Sequence, residues 1–304
     1  MTAASHQTAS PRGGRNPLKG ASINLFYLPA IILLVVFILY PLVNGFMLSL
    51  TNWDGYSPDK GFVGFKNYLT MFQDANFGKI LLNTFIYGIG STAIQQVLGL
   101  GLALMLNARI KGRTLLRAII YLPALVAPVV MGTMYYFLFQ YQQGALNTIV
   151  VALGGQKVAW FENPGISIAI IVIVNSIQFV GVSMIIYLAG LQTLDQSVME
   201  ASELDGAYGW KKFWNITLPL LQPSFTTSVV LNLIGGLKLF DVIKVLTGGG
   251  PGYATHSMST YISTVYFDDQ SAGYASAIGV VLFILIALVT YLMNTGLTKL
   301  NWEA

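Results

Sequence analysis

The chain has 304 residues, 16 of them basic and 12 acidic, so that only 9% carry charge while 55% are hydrophobic. A soluble domain is about 25% charged, so this composition excludes an ordinary water-soluble enzyme and a disordered chain and points to a protein whose solvent is largely lipid. With no cysteine and only His6 and His256, disulfide scaffolds, thiolate chemistry and His-rich metal centres are excluded as well.

Residues 1–22 are polar and carry Arg12, Arg15 and Lys19, which predicts a disordered cytoplasmic tail ahead of a transmembrane domain over 23–304. Six stretches then run without charge: Lys19 to Asp54, Lys79 to Arg109, Arg117 to Lys157, Glu162 to Asp195, Lys212 to Lys238 and Asp269 to Lys299. A helix crosses the hydrocarbon core in about 20 apolar residues. Each stretch is long enough for one crossing, and lipid-exposed backbone must bond to itself. Six helices are expected near 25–50, 81–106, 116–140, 166–190, 222–245 and 273–297. Polar QYQQG at 140–144 ends the third, and the first is too long for a signal-peptide core.

Ten basic residues fall on one side of this arrangement (Arg12, Arg15, Lys19, Arg109, Lys111, Arg113, Arg117, Lys211, Lys212 and Lys299) and four on the other (Lys60, Lys66, Lys79 and Lys157). The richer side is cytoplasmic by the positive-inside rule, so both termini are expected inside. The net charge of +4 is thereby explained without a nucleic-acid partner.

The inner loop from Leu194 to Pro223 is the most informative. Asp195 is placed to cap a short helix. Val198, Ala201 and Leu204 form an apolar stripe at three-residue spacing, and Gly206 can end the helix in the left-handed conformation. Trp210, Phe213 and Trp214 beside Lys211 and Lys212 suit a membrane interface, and Pro219 and Pro223 stand where the fifth span begins. By itself this pattern fits an interfacial helix with no partner as well as it fits a lever.

Within this loop, Glu200-Ala201-Ser202, Gly206, Ile216 and Leu218-Pro219 resemble the EAA signature of the membrane subunits of binding-protein-dependent ABC importers. Ser202 departs from it where a second Ala is usual. FVGFKNY at 62–68, Asn83-Thr84 and FDVIKVLTGGGPGYAT at 240–255 are similar to segments of the carbohydrate-uptake branch, and the resemblance covers roughly 25–300.

The resemblance implies an all-α, six-span permease of the type I ABC importer fold, in the inner or cell membrane of a bacterium or archaeon. It implies a second homologous permease subunit, two ATPase subunits that bind ATP and Mg, and an extracytoplasmic sugar-binding protein. The loop over 194–219 becomes a coupling helix through which Glu200, Ala201, Ser202, Leu204, Asp205, Gly206 and Ala207 meet the ATPase. The chain is then a non-catalytic subunit without a cofactor of its own, and no G-x-x-x-x-G-K-[ST] occurs in it. The Gly-rich run at 248–252 lacks that lysine and reads as a flexible or tightly turned outer loop.

A rise of 1.5 Å per residue puts Asn175 and Asn232 each roughly 14–15 Å deep on consecutive spans, where amides need partners or a wet cavity. Gln178 shares a face with Asn175, Gly236 shares one with Asn232, and Phe179 and Phe240 offer flat faces to sugar rings. Aligned through the EAA and GGP anchors, the sugar-contacting positions of the maltose permease fall on Asn175, Gln178, Phe179, Asn232, Gly236 and Leu239. The alternative is that these amides only join helices. Gln95-Gln96 reads first as helix–helix bonding. Lys238 and Asp241 read first as a neutralising pair, and second as an anion site for a substrate such as glycerol phosphate. An ion-coupled transporter acting alone would have only Asp241 as its coupling carboxylate, and a membrane enzyme would have no paired acids in its spans.

Overall fold

A computed structural model of the chain describes residues 27–108 and 110–299. The tail over 1–22, with Arg12, Arg15 and Lys19, and also Arg109, lie outside the described residues. Those residues fall into two units that divide between Met47 and Leu48. The first holds most of α1 (Leu28–Ser49), an apolar helix of 22 residues with a π turn at Val35–Leu39.

In the second unit, α2 (Lys66–Gln73) follows a short loop. Asn67 pins it, its Nδ2 donating to the carbonyls of Ser49 and Thr51 at 2.8 Å each. The long α3 (Phe77–Asn107) leads to α4 (Arg113–Leu125) and α5 (Pro128–Phe139), then to the short α6 (Ala145–Ala152) and the 30-residue α7 (Pro164–Thr193). Next come α8 (Gln196–Leu204) and α9 (Gly209–Lys212), which runs on through a π turn at Phe213–Thr217 to Leu218–Leu220. The chain ends with α10 (Gln222–Leu237), α11 (Asp241–Leu246), α12 (Met258–Phe267) and α13 (Ala272–Lys299).

The centre of this unit is α7, packed along α3, α4 and α10. One apolar cluster joins Tyr87, Ile170, Ile171, Val174, Leu239, Val242 and Ile243. A second joins Ala103, Met184, Tyr187, Leu188 and Leu221. Polar side chains bridge the helices between them: Tyr187 donates to Gln96 Oε1 at 2.6 Å, and Asn232 donates to Ser183 Oγ at 2.7 Å.

Among the described residues α1, α3, α7 and α13 are each long and apolar enough to cross a membrane. The third and fifth expected spans differ from continuous helices. The third is bent by 96° between α4 and α5. Val126 and Ala127 leave the helical conformation; Pro128 disfavours that conformation in Ala127, the residue before it, and then starts α5. The carbonyl of Val126 is not stranded, since Gln178 Nε2 donates to it at 3.3 Å.

The fifth stops at Leu237 after 16 residues, about 24 Å of helix against a core of about 30 Å. The chain then turns through Lys238–Phe240 and restarts as α11. The Leu239 carbonyl at this break accepts from Ser257 Oγ at 2.7 Å. Unwound backbone at membrane depth is tolerated when protein satisfies it or when it lines a cavity.

Candidate functional site

The break in the fifth helix opens a cleft of about 440 Å³. From α7 it is lined by Asn175, Phe179 and Val182, from α3 by Gln95, and from α5 by Pro128. The α10–α11 segment adds Leu231, Asn232, Gly235, Gly236 and the run Lys238 to Val242. Asn175, Phe179, Asn232, Gly236 and Leu239 are thus brought together, with Phe240 opposite the amides in chemistry. Such a wall, mostly apolar with a few convergent polar groups, is the usual make-up of a small-molecule site.

The polar groups are not equivalent. Asn175 is buried, yet no hydrogen bond from its side chain to another described residue is made, while its backbone carbonyl accepts from Gln95 Nε2 at 3.2 Å. Gln95 Oε1 is buried without a partner. An unpaired buried polar group is costly, so the Asn175 side-chain amide and Gln95 Oε1, on residues that line the cleft, have hydrogen-bonding capacity to spare. Asn232 spends its NH2 on Ser183 and on the Ser228 carbonyl, at 2.7 and 2.9 Å. That is the helix-joining role, and it leaves Oδ1 as its polar offering.

Gln178 is fully buried beside the α4–α5 bend and does not line the cleft. Gly236 does line it, but a Cβ there would lie 2.8 Å from Gly88 Cα. Its missing side chain therefore serves the crossing of α10 over α3. The position open to a ligand is Gly235, where a Cβ would meet nothing within 4 Å.

Lys238 and Asp241 both line the cleft. The neutralising pair expected from their spacing is not formed. The one ion pair among the described residues joins Lys212 to Glu203 at 2.7 Å. The cause is the helix break, because positions three apart face one another only on a continuous helix.

At the other end of the molecule α8 is a nine-residue rod. Asp195 caps it by accepting from the Ser197 amide at 2.8 Å, and this hydrogen bond holds its carboxyl below the usual carboxylate range. The C-terminus closes as a Schellman motif: Gly206 has φ +77°, its amide bonds the Glu203 carbonyl, and the Ala207 amide bonds that of Ser202. Ser202 and Ala207 are buried, and Ser202 Oγ donates to the Met199 carbonyl. Ala201, Leu204 and Asp205 are exposed, Leu204 to 91%. Glu200 is held only by Gln196 Nε2, at 2.7 Å. Lys212 ties the rod to α9 through Glu203 and the Met199 carbonyl.

The Gly-rich loop between α11 and α12 is pinned. Asn83 Nδ2 donates to the carbonyls of Ala254 and His256, and Tyr87 OH to that of Thr255. Thr84 Oγ1 accepts from the Met258 amide. Asn83 and Thr84, which the sequence offered only as a likeness, are thus the clamp for a loop some 170 residues away.

These features belong to a membrane transport subunit. The family described as "Binding-protein-dependent transport system inner membrane component" matches residues 95–300, and the chain belongs to that family. Among similar proteins, the trehalose/maltose transport system permease protein MalF of Thermococcus litoralis is 36% identical over 266 residues, 88% of this chain and 90% of its own length. The lactose transport system permease protein LacF of Rhizobium radiobacter is 32% identical over 274 residues, covering 88% and 91%. A chain in the crystal structure of a bacterial ABC transporter involved in alginate import superimposes with a TM-score of 0.80 at 24% identity, over 93% of this chain and 97% of that one. This last likeness carries the fold alone, an all-helical ABC importer permease fold.

Proposed function

We propose that the chain is the permease subunit of an ATP-driven, binding-protein-dependent sugar importer in a bacterial or archaeal cell membrane. It spans the membrane six times with both termini inside and forms half of the pathway beside a second permease. The observation that carries this reading is similarity over nearly nine-tenths of the chain to permeases for trehalose, maltose and lactose. The cleft supports it: amides offer bonds to hydroxyls, and Phe179 and Phe240 offer faces to sugar rings.

On this reading the bent α4–α5 pair is one crossing, and α10 with α11 is another. The second lies largely within protein, which explains why 16 helical residues suffice. An extracytoplasmic binding protein delivers the sugar, and two ATPase subunits hold ATP and Mg and hydrolyse it. The chain itself is non-catalytic. The rod α8 is the contact with an ATPase, through exposed Glu200, Ala201, Leu204 and Asp205. Buried Ser202 and Ala207 and the turn at Gly206 seat the rod on the chain. A rod fixed at both ends by caps transmits a displacement rather than absorbing it.

Purification of the tagged chain from its native membrane tests the assignment. Co-purification of an ATPase and a second permease is expected, and a lone chain that transports without ATP would overturn it.

A further inference from the structure

Lys238 and Asp241 are charged groups of opposite sign that share the cleft without sharing a bond. Among the described residues neither makes an ion pair or a side-chain hydrogen bond. They stand at the helix break, next to Phe240, and share the cleft with the Asn175 side chain, which bonds no described residue, and with Gln95, whose Oε1 is buried without a partner. Charges held in a membrane-embedded cavity are costly and mark function. A pair placed only for neutrality would close on itself. These two instead present one cationic donor and one anionic acceptor to the space that a substrate would fill.

We infer that this cleft selects neutral saccharides over acidic ones, with Lys238 donating to and Asp241 accepting from sugar hydroxyls. The inference rests on the sugar-importer reading above and narrows its substrate class. A hydroxyl is both donor and acceptor, so neighbouring hydroxyls of a sugar satisfy an ammonium and a carboxylate together, through charge-assisted bonds. A carboxylate, sulfonate or phosphate can bond Lys238 but must then approach Asp241, and like charges at short range oppose binding. A cationic sugar meets the mirror-image conflict at Lys238. The charges in the cleft cancel, so no ionic substrate gains a net attraction. The anion-site alternative would require Lys238 without Asp241.

Equilibrium binding to the complete importer in lipid nanodiscs, with no binding protein present, tests this. The probes are labelled maltose, trehalose and lactose as neutral sugars, and glycerol 3-phosphate and digalacturonate as acidic ones. The wild type is expected to bind at least one neutral probe about tenfold or more tighter than either acidic probe. Asp241→Asn leaves a net positive cleft and is expected to shift the acidic-to-neutral affinity ratio upward by about tenfold. Lys238→Gln is expected to weaken the neutral probe by a similar factor without admitting the acidic ones.

A wild type that prefers an acidic probe, or an Asp241→Asn ratio equal to wild type, overturns the inference. If Asn175→Ala still weakens neutral-sugar binding in that second case, the cleft remains a sugar site and only the charge selection fails. If no probe binds and Asn175→Ala changes nothing, the sugar site and the inference built on it fail together.

Discussion

At residue scale the cleft separates side chains with bonding capacity to spare from those already committed. Asn175→Ala removes an amide that bonds no other side chain, so it leaves the fold intact. It is expected to weaken sugar binding by about tenfold, a loss of about 1–1.5 kcal/mol, measured by equilibrium binding beside an unchanged thermal melt. The two adjacent glycines make opposite predictions. Gly235→Leu projects into open space and is expected to fold normally while narrowing the cleft, so uptake of larger sugars falls first. Gly236→Ala forces α10 away from Gly88 and is expected to cost about 1–3 kcal/mol through overpacking, read as a lower melting temperature of the assembled complex.

His256, in the loop between α11 and α12, adds a pH dependence. Burial, helped by the positive charge of Lys244 and opposed by Asp268, pushes its imidazole down to about 4 from an ordinary 6.5. The unfolded loop therefore binds a proton between these values that the folded loop does not, so stability is present at neutral pH and falls as pH drops from about 6.5 toward 4. Amide exchange over 249–257 should accelerate across that window, and His256→Phe should remove the acceleration.

At the scale of elements, α8 is short for a stable helix and depends on its ends. Helices under about 12 residues are marginal in isolation, so the Asp195 cap and the Gly206 closure decide whether the rod exists. Gly206→Pro cannot adopt φ +77° and loses the amide that bonds Glu203. ATP-dependent uptake should be lost while sugar binding in the distant cleft persists. Uptake at the wild-type rate would remove α8 from the coupling role. The exposed Val198–Ala201–Leu204 stripe belongs to the same element, a surface apolar enough to be covered in an assembly.

At the scale of the whole molecule, contacts between distant segments hold the cleft and the Gly-rich loop in one frame. Asn83 on α3 clamps the loop after α11, and α11 itself supplies Asp241 and Val242 to the cleft. Asn83→Ala strands two carbonyls and is expected to cost about 1–3 kcal/mol. Hydrogen exchange should then rise across 247–257 with α7 unaffected.

The sequence by itself determined the lipid solvent, the long helices α1, α3, α7 and α13, the bounds of α8 and the meeting of Asn175 with Asn232. All of these follow from charge-free length, rise per residue and local capping chemistry, which are properties of neighbouring residues. The bend at Pro128 was missed by counting charges, although a proline within a long apolar run carries its signal. The break at Lys238–Phe240 had no such signal. Only the tertiary structure decided it, because Ser257, 18 residues on, must be in place to accept the burden of the Leu239 carbonyl. That break in turn parted Lys238 from Asp241, while helix packing set Gln178 at the α4–α5 bend and Gly236 against Gly88 and left Gly235 open. Which face of a helix meets another helix and which meets a cavity depends on residues far away in the chain, and no local pattern contains it.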